Sequence, residues 1–251
     1  MTSTRRPVHF YGDSHMQGYE ADHDRILGRN TYREKQDLIH QFGLHGAIVM
    51  WNKKMARATN QSVIHFVNRR LPESYPFLLF PKSRLNAFPA VSYDYLYLRL
   101  IQDYHKGLLT NYDRVFIAVC RPTRTYRLDE MGNFDYRYED LDGNSSQMTD
   151  IQYACTWALG VRGIMDFLDK KRIEYTFINH FDMFDRSIKD IHNITIPKAA
   201  LYNSMCLETY EEVESKAIPK GLHDFGDYNG FYHRNETGHK EFAAYLKKYL
   251  T

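Results

Sequence analysis

"FYGDSHMQGYE", residues 10–20, decides how this chain is read. A short apolar run from Val8 to Tyr11 enters Gly12-Asp13-Ser14 without a spacer. The pattern is that of a buried strand ending in a tight turn that opens a helix. Two physical preferences meet there. Ligands of parallel sheets sit beyond the carboxyl ends of the strands, and the amides at a helix start favour nearby negative charge. A serine at that point is placed to attack, but its hydroxyl is a weak nucleophile without a base. The plain alternative is that Ser14 only caps the helix. The rest of the chain decides between the two.

Size and composition narrow the field. A chain of 251 residues can bury a core without disulfides or a structural metal. The expectation is one domain, 1–251, with a helical insertion at about 30–70. Lys plus Arg number 33 and Asp plus Glu 31, a net charge of +2, which predicts neither a nucleic-acid nor a membrane partner. The basic clusters, such as Lys53-Lys54 and Lys170-Lys171-Arg172, are scattered and read as solvated faces. Cys120, Cys155 and Cys206 are far apart with no C-x-x-C, which argues against a disulfide framework and a zinc site. They suit a reducing compartment. No apolar run of about 18 residues occurs, and the first residues lack a signal-peptide core. A cytoplasmic or virion-associated protein is expected. The 20 tyrosines serve a core, an oligomer interface or a sugar platform.

Along the chain, strands and helices alternate. Residues 30 to 80 read as mostly helical with apolar residues at mixed spacing, and "HGAIVMW" (45–51) fits either strand or buried helix. "SRLNAF" (83–88) reads as a strand and 92–107 as a helix ending at a glycine. "RVFIAVC" (114–120) is the clearest buried strand. A polar loop spans 129 to 147, a long amphipathic helix capped by Thr149 spans 149–171, and "RIEYTFIN" (172–179) is another strand. Residues 181 to 230 read as irregular with short helices. The last helix, 235–250, is capped by Asn235 and turns Phe242, Leu246, Tyr249 and Leu250 inward. This order predicts an α/β fold, a three-layer α/β/α sandwich around a mostly parallel, roughly five-stranded sheet of flavodoxin-like topology.

The base that Ser14 needs has a candidate in "YHRNETGHKEF" (232–242), where His233 lies in a tight loop before the last helix. "YGDSH" near the start and "HRNETGHKEFAAYL" near the end together resemble the first and last blocks of the SGNH (GDSL-type) hydrolase family. "LNAFPAVSYDYLYLRLI" (85–101) and "YDRVFIAVCRPTRTYR" (112–127) are similar to its middle blocks, so the resemblance covers most of the chain outside about 30–70. It implies a serine ester hydrolase without a cofactor. Ser14 is then the nucleophile, His233 the base and Ala90 a backbone donor to the oxyanion, and the substrate is an acylated or acetylated carbohydrate or a small ester.

The chain departs from the family pattern at two places. "CRPTR" (120–124) replaces the third-block G-x-N-D, which leaves Thr123 and Arg124 as candidates for oxyanion or substrate binding. Gly230 stands three residues before His233, where the family has its acid. Asp227 is the candidate third member of the triad, with Asp224 nearby, and a Ser–His pair oriented by a backbone carbonyl is the alternative. His15 and His239 read as structural, and Asp13 as a brace of the turn. Two other classes stay open. A catalytically impaired binding or virion protein on the same fold is motivated by the missing acid and Asn. A metal-dependent phosphoesterase is motivated by Asp13-x-His15, Asn179-His180 and His239. A homo-oligomer or a virion is kept as a further partner beside the glycan or small ester.

Overall fold

The computed structural model describes residues 6–87, 92–119, 125–128, 134–137, 150–180, 204–231 and 233–250. In chain order these form β1 (Val8–Gly12), α1 (Ser14–Gln17), α2 (His23–Leu27), α3 (Tyr32–Ala58), α4 (Val63–Val67), α5 (Tyr75–Leu79), β2 (Arg84–Ala87) and α6 (Tyr93–His105). There follow β3 (Arg114–Val119), β4 (Thr125–Leu128), β5 (Phe134–Arg137), α7 (Asp150–Lys171), β6 (Glu174–Asn179), α8 (Ser204–Lys216) and α9 (Glu236–Leu250). The chain divides into two compact units, one of Met1–Asp13 with Lys82–Gly221 and one of Ser14–Pro81 with Leu222–Thr251.

The first unit is built on a parallel sheet of order β2-β1-β3-β6. Strands buried on both faces read as continuous apolar runs, and β1 and β3 show why: Phe10, Tyr11 and Val115 to Ala118 have no exposed surface. Phe10 is in register with Phe116 and their rings stack at 4.9 Å. Truncating such a ring costs about 3–5 kcal/mol. Strand order reverses between β1 and β3, the switch point at which open sheets of this kind place their ligands. Buried polar pairs lie in this unit. His9 Nε2 lies 3.1 Å from Asp113 Oδ2, and the Tyr11 hydroxyl donates to Asp103 Oδ2 at 2.9 Å. Helix α6 packs on α7, with Tyr93 set edge-on to Trp157.

Among the described residues the parallel sheet has four strands, where the sequence suggested about five. The chain leaving α8 does reach β6, but only through one parallel bridge, Ala217 to Phe177, with Ile218 N–H donating to Phe177 O at 3.1 Å. Pro219 follows at once. Among the described residues this isolated bridge is the whole of the pairing. Residues 129 to 147, read from composition as a loop, contain β5, which pairs antiparallel with β4. Within 181 to 230, α8 is a 13-residue helix, longer than the short helices expected there.

The second unit is helical. Gly43 (φ 69°, ψ 170°) breaks α3 into two pieces, a conformation only glycine adopts at no cost. The break resets the helical phase, which explains the mixed apolar spacing over 30–70. "HGAIVMW" lies in the second piece and is helix. Its Ala47 and Trp51 join Met55, Phe66 and Phe231 in a buried cluster. Helix α9 packs on α5. Its cap is the one expected, with Gly238 N–H donating to Asn235 Oδ1 at 2.9 Å. Phe242 and Leu246 are buried on its inner stripe, while Tyr249 is exposed. Among the described residues, no helix is long and apolar enough to cross a membrane.

Candidate active site

Ser14 opens α1 directly after the carboxyl end of β1 and is 5% exposed. Its Oγ lies 2.7 Å from Nε2 of His233, 219 positions later in the chain. The other ring nitrogen sets the direction of that bond. Nδ1 of His233 lies 3.1 Å from Oε2 of Glu20 and 3.1 Å from the carbonyl of Phe231. A carboxylate and a carbonyl only accept, so Nδ1 carries the proton and Nε2 is left with its lone pair toward the serine hydroxyl. This is the tautomer that a general base requires.

Glu20 is fully buried and has a backbone φ of +75°, a strained conformation for a residue with a side chain. Strain of this kind persists only where neighbours over-determine it, and here they do. Oε2 accepts from the N–H of Phe231 and of His233, both at 3.2 Å, as well as from Nδ1. The backbone carbonyl of Glu20 accepts from Asn229 Nδ2 at 2.9 Å. Bonds to an ionised acceptor are roughly twice as strong as neutral ones, so this carboxylate fixes Phe231 and His233 together. Two rings complete the seating of the imidazole. His15 stacks on it at 4.2 Å and Tyr19 meets it edge-on at 4.9 Å.

The position where the family pattern places an acid, Gly230, is closed to one. Its φ is +94°, and a Cβ built there would lie 2.4 Å from Cδ and 2.8 Å from Cβ of Lys35. The Lys35 side chain fills that space, and its Nζ lies 2.6 Å from Oε1 of Glu20. Burial pushes the Lys35 ammonium below its ordinary pKa, while Glu20, and then Asp24 and Asp22, pull it back up. His23 lies on the same side, its Nδ1 3.8 Å from Oε1. Trp51 Nε1–H donates to that nitrogen at 3.1 Å. Burial drives the His23 pKa well down, with the Lys35, Arg69 and His233 charges adding to it, so His23 stays neutral and leaves the carboxylate to its other partners.

Asp227 is exposed on the loop, where its backbone carbonyl accepts from Asn235 N–H at 3.0 Å. The carboxylate against Nδ1 of His233 belongs to Glu20. Ala90, Thr123 and Arg124 lie outside the described residues. Asp13 is buried with its Oδ1 3.0 Å from Nδ1 of His180. His239 is buried and stacks on Tyr75, whose backbone N–H points to its Nδ1 at 3.4 Å. Among the described residues, no group of three or more His, Cys, Asp or Glu is arranged to hold a metal ion.

No family model matches this chain, and no curated protein does. Similar solved structures include a mutant of an acetyl-xylooligosaccharide esterase from Geobacillus Stearmophilus, 11% identical over 97% of this chain and 93% of that one, with a TM-score of 0.43. A carbohydrate esterase family 2 enzyme from Corynascus thermopiles (Myceliophthora fergusii), carrying a carbohydrate binding domain, is 12% identical with a TM-score of 0.45. The match covers 99% of this chain and 66% of that one, just under two thirds. An acetyl xylan esterase from the rumen bacterium Butyrivibrio proteoclasticus is 12% identical over 98% of this chain and 64% of that one, with a TM-score of 0.38.

The residue that sequence reasoning missed is Glu20. Its signal was present in two parts: a glycine where an acid was expected, and a glutamate six residues beyond the nucleophile candidate in "DSHMQGYE". Neither part points to the other without the path of Lys35 between them.

Proposed function

We propose that the protein is a serine ester hydrolase of the SGNH type in which Glu20 takes the place of the usual acid. The observation that carries this reading is the continuous line of contacts from Ser14 Oγ to His233 Nε2 at 2.7 Å and from His233 Nδ1 to Glu20 Oε2 at 3.1 Å. Ser14 Oγ attacks the acyl carbonyl carbon as its proton passes to His233 Nε2. The imidazolium so formed is stabilised by Glu20 through the Nδ1–H bond, as the acid of a triad does. The oxyanion forms near the start of α1, where the Ser14 N–H is one donor. Collapse of the intermediate breaks the ester C–O bond, and His233 returns the proton to the leaving alcohol. Water then attacks the acyl-serine with His233 again as base, releasing the carboxylic acid and restoring Ser14.

The substrate class follows from the same reading: an acyl ester, with acetylated carbohydrate or a small acetyl ester as the first to test. Its support is the likeness of the sequence blocks around Ser14 and His233 to those of SGNH hydrolases. The test is hydrolysis of p-nitrophenyl acetate and release of acetate from an acetylated xylo-oligosaccharide by the purified chain. Turnover that disappears in Ser14→Ala supports the reading. A folded wild type with no turnover on either ester, or an unaffected Ser14→Ala variant, contradicts it.

A further inference from the structure

Resting on the Ser14–His233–Glu20 reading, we propose that Lys35 is a positioning residue for the reaction: its buried ammonium holds the Glu20 carboxylate aimed at His233. Lys35 lies near the start of α3, and its side chain is fully buried. A lysine is almost never fully buried unless paired, and this one has two partners on the site itself. Its Nζ pairs with Oε1 of Glu20 at 2.6 Å and donates to the backbone carbonyl of Asn229. One cation thus ties the carboxylate to the loop that carries His233. Its stem runs through the space a side chain at Gly230 would need, so the lysine both excludes an acid from the usual place and holds the substitute.

The charges around the pair define what the ammonium does. Facing Lys35 are Glu20 from the segment after α1, Asp22 and Asp24 from the approach to and first turn of α2, and the rings of Trp51 and Phe231. Facing Glu20 are Lys35, the neutral His23 and His233. A carboxylate removed from water binds a proton more readily unless a cation or donors oppose it. With Lys35 neutralised, Glu20 has backbone donors but no countercharge. Its aim at Nδ1 of His233 then rests on the backbone N–H groups of Phe231 and His233 alone, and the imidazolium is less well stabilised. The loss falls on kcat and vanishes once the carboxylate is already gone, which a purely structural role does not produce.

The experiment compares wild type, Lys35→Met, Glu20→Gln and the Glu20→Gln/Lys35→Met double variant, each checked for folding by circular dichroism. It measures kcat and KM for p-nitrophenyl acetate from pH 6 to 9 and the rate at which a fluorophosphonate labels Ser14. Lys35→Met is expected to lower kcat at pH 7 by tenfold or more with KM within about threefold. Glu20→Gln and the double variant are expected to be equal within about threefold at every pH, because the lysine acts only through the carboxylate. No loss in Lys35→Met, or a loss carried by KM, overturns the proposal. So does a double variant much slower than Glu20→Gln, a comparison that remains if the single Lys35 variant fails to fold. If wild type itself is neither labelled at Ser14 nor active, the hydrolase reading fails first.

Discussion

A single oxygen of Glu20 holds His233 twice, through the backbone N–H at 3.2 Å and ring Nδ1 at 3.1 Å, across 213 positions of sequence. The backbone bond fixes where the residue sits and the ring bond fixes which nitrogen faces Ser14. Position and tautomer of the imidazole are therefore set by one carboxylate.

Glu20 and Asp227 are separated by mutation. Glu20→Gln is expected to lower kcat by about 10² to 10⁴ with a small change in KM, by analogy with removal of a triad acid. Asp227→Asn, on an exposed loop position, is expected to change kcat by less than threefold. Steady-state kinetics on p-nitrophenyl acetate decides, and the reverse ranking would transfer the role to Asp227.

Gly230→Ala tests whether the Lys35 side chain closes that position. The new Cβ would meet the Lys35 stem at 2.4 Å, on a backbone with φ +94°. Overpacking of this kind costs about 1–3 kcal/mol, and for a chain of this size each kcal/mol lowers Tm by roughly 2–4 °C. Calorimetry is expected to show a Tm drop of several degrees together with lower esterase activity. An unchanged Tm would mean that the Lys35 side chain does not occupy that space.

Much of this arrangement was legible in the sequence. Ser14 and His233 announce themselves because a strand-to-helix turn and a capped terminal helix are local patterns. Likewise β3 is a continuous apolar run after Arg114, which only a buried strand or buried helix explains. Glu20 was not legible because its role depends on Lys35 filling the space beside Gly230, a long-range steric fact with no local trace. The phase break at Gly43 hid the helical period of α3. Helix α8 carries ion pairs, Glu212 with Lys216 at 2.8 Å and with Arg162 at 2.5 Å, which hydrophobic periodicity does not report.

Stability is expected to fall on acidification from pH 8 to 5.5. Burial lowers the pKa of both His9 and His23 in the fold. As pH drops through about 6.5, the unfolded chain takes up protons at these positions that the folded chain does not, so unfolding is favoured. The contribution is absent above that pH and grows below it until the folded pKa is reached. Thermal melts across this range check the sign. His23→Gln, whose amide oxygen can still accept the Trp51 N–H, is expected to flatten part of the slope. A wild-type Tm that is constant or rises on acidification contradicts the assignment.

Chelation separates serine chemistry from the metal-dependent alternative raised by Asp13-x-His15. Prolonged EDTA treatment followed by desalting is expected to leave ester hydrolysis within about twofold of the untreated protein. Loss of activity on chelation that added divalent ions restore would favour the metal reading.

The most direct measurement is covalent. Incubation of the folded wild type with a fluorophosphonate probe, followed by peptide mass spectrometry, is expected to place one phosphonyl adduct on Ser14. Labelling should fall by at least 10³-fold in His233→Ala. No adduct on Ser14, or labelling that is indifferent to the loss of His233, contradicts the claim that these two side chains form a working nucleophile and base.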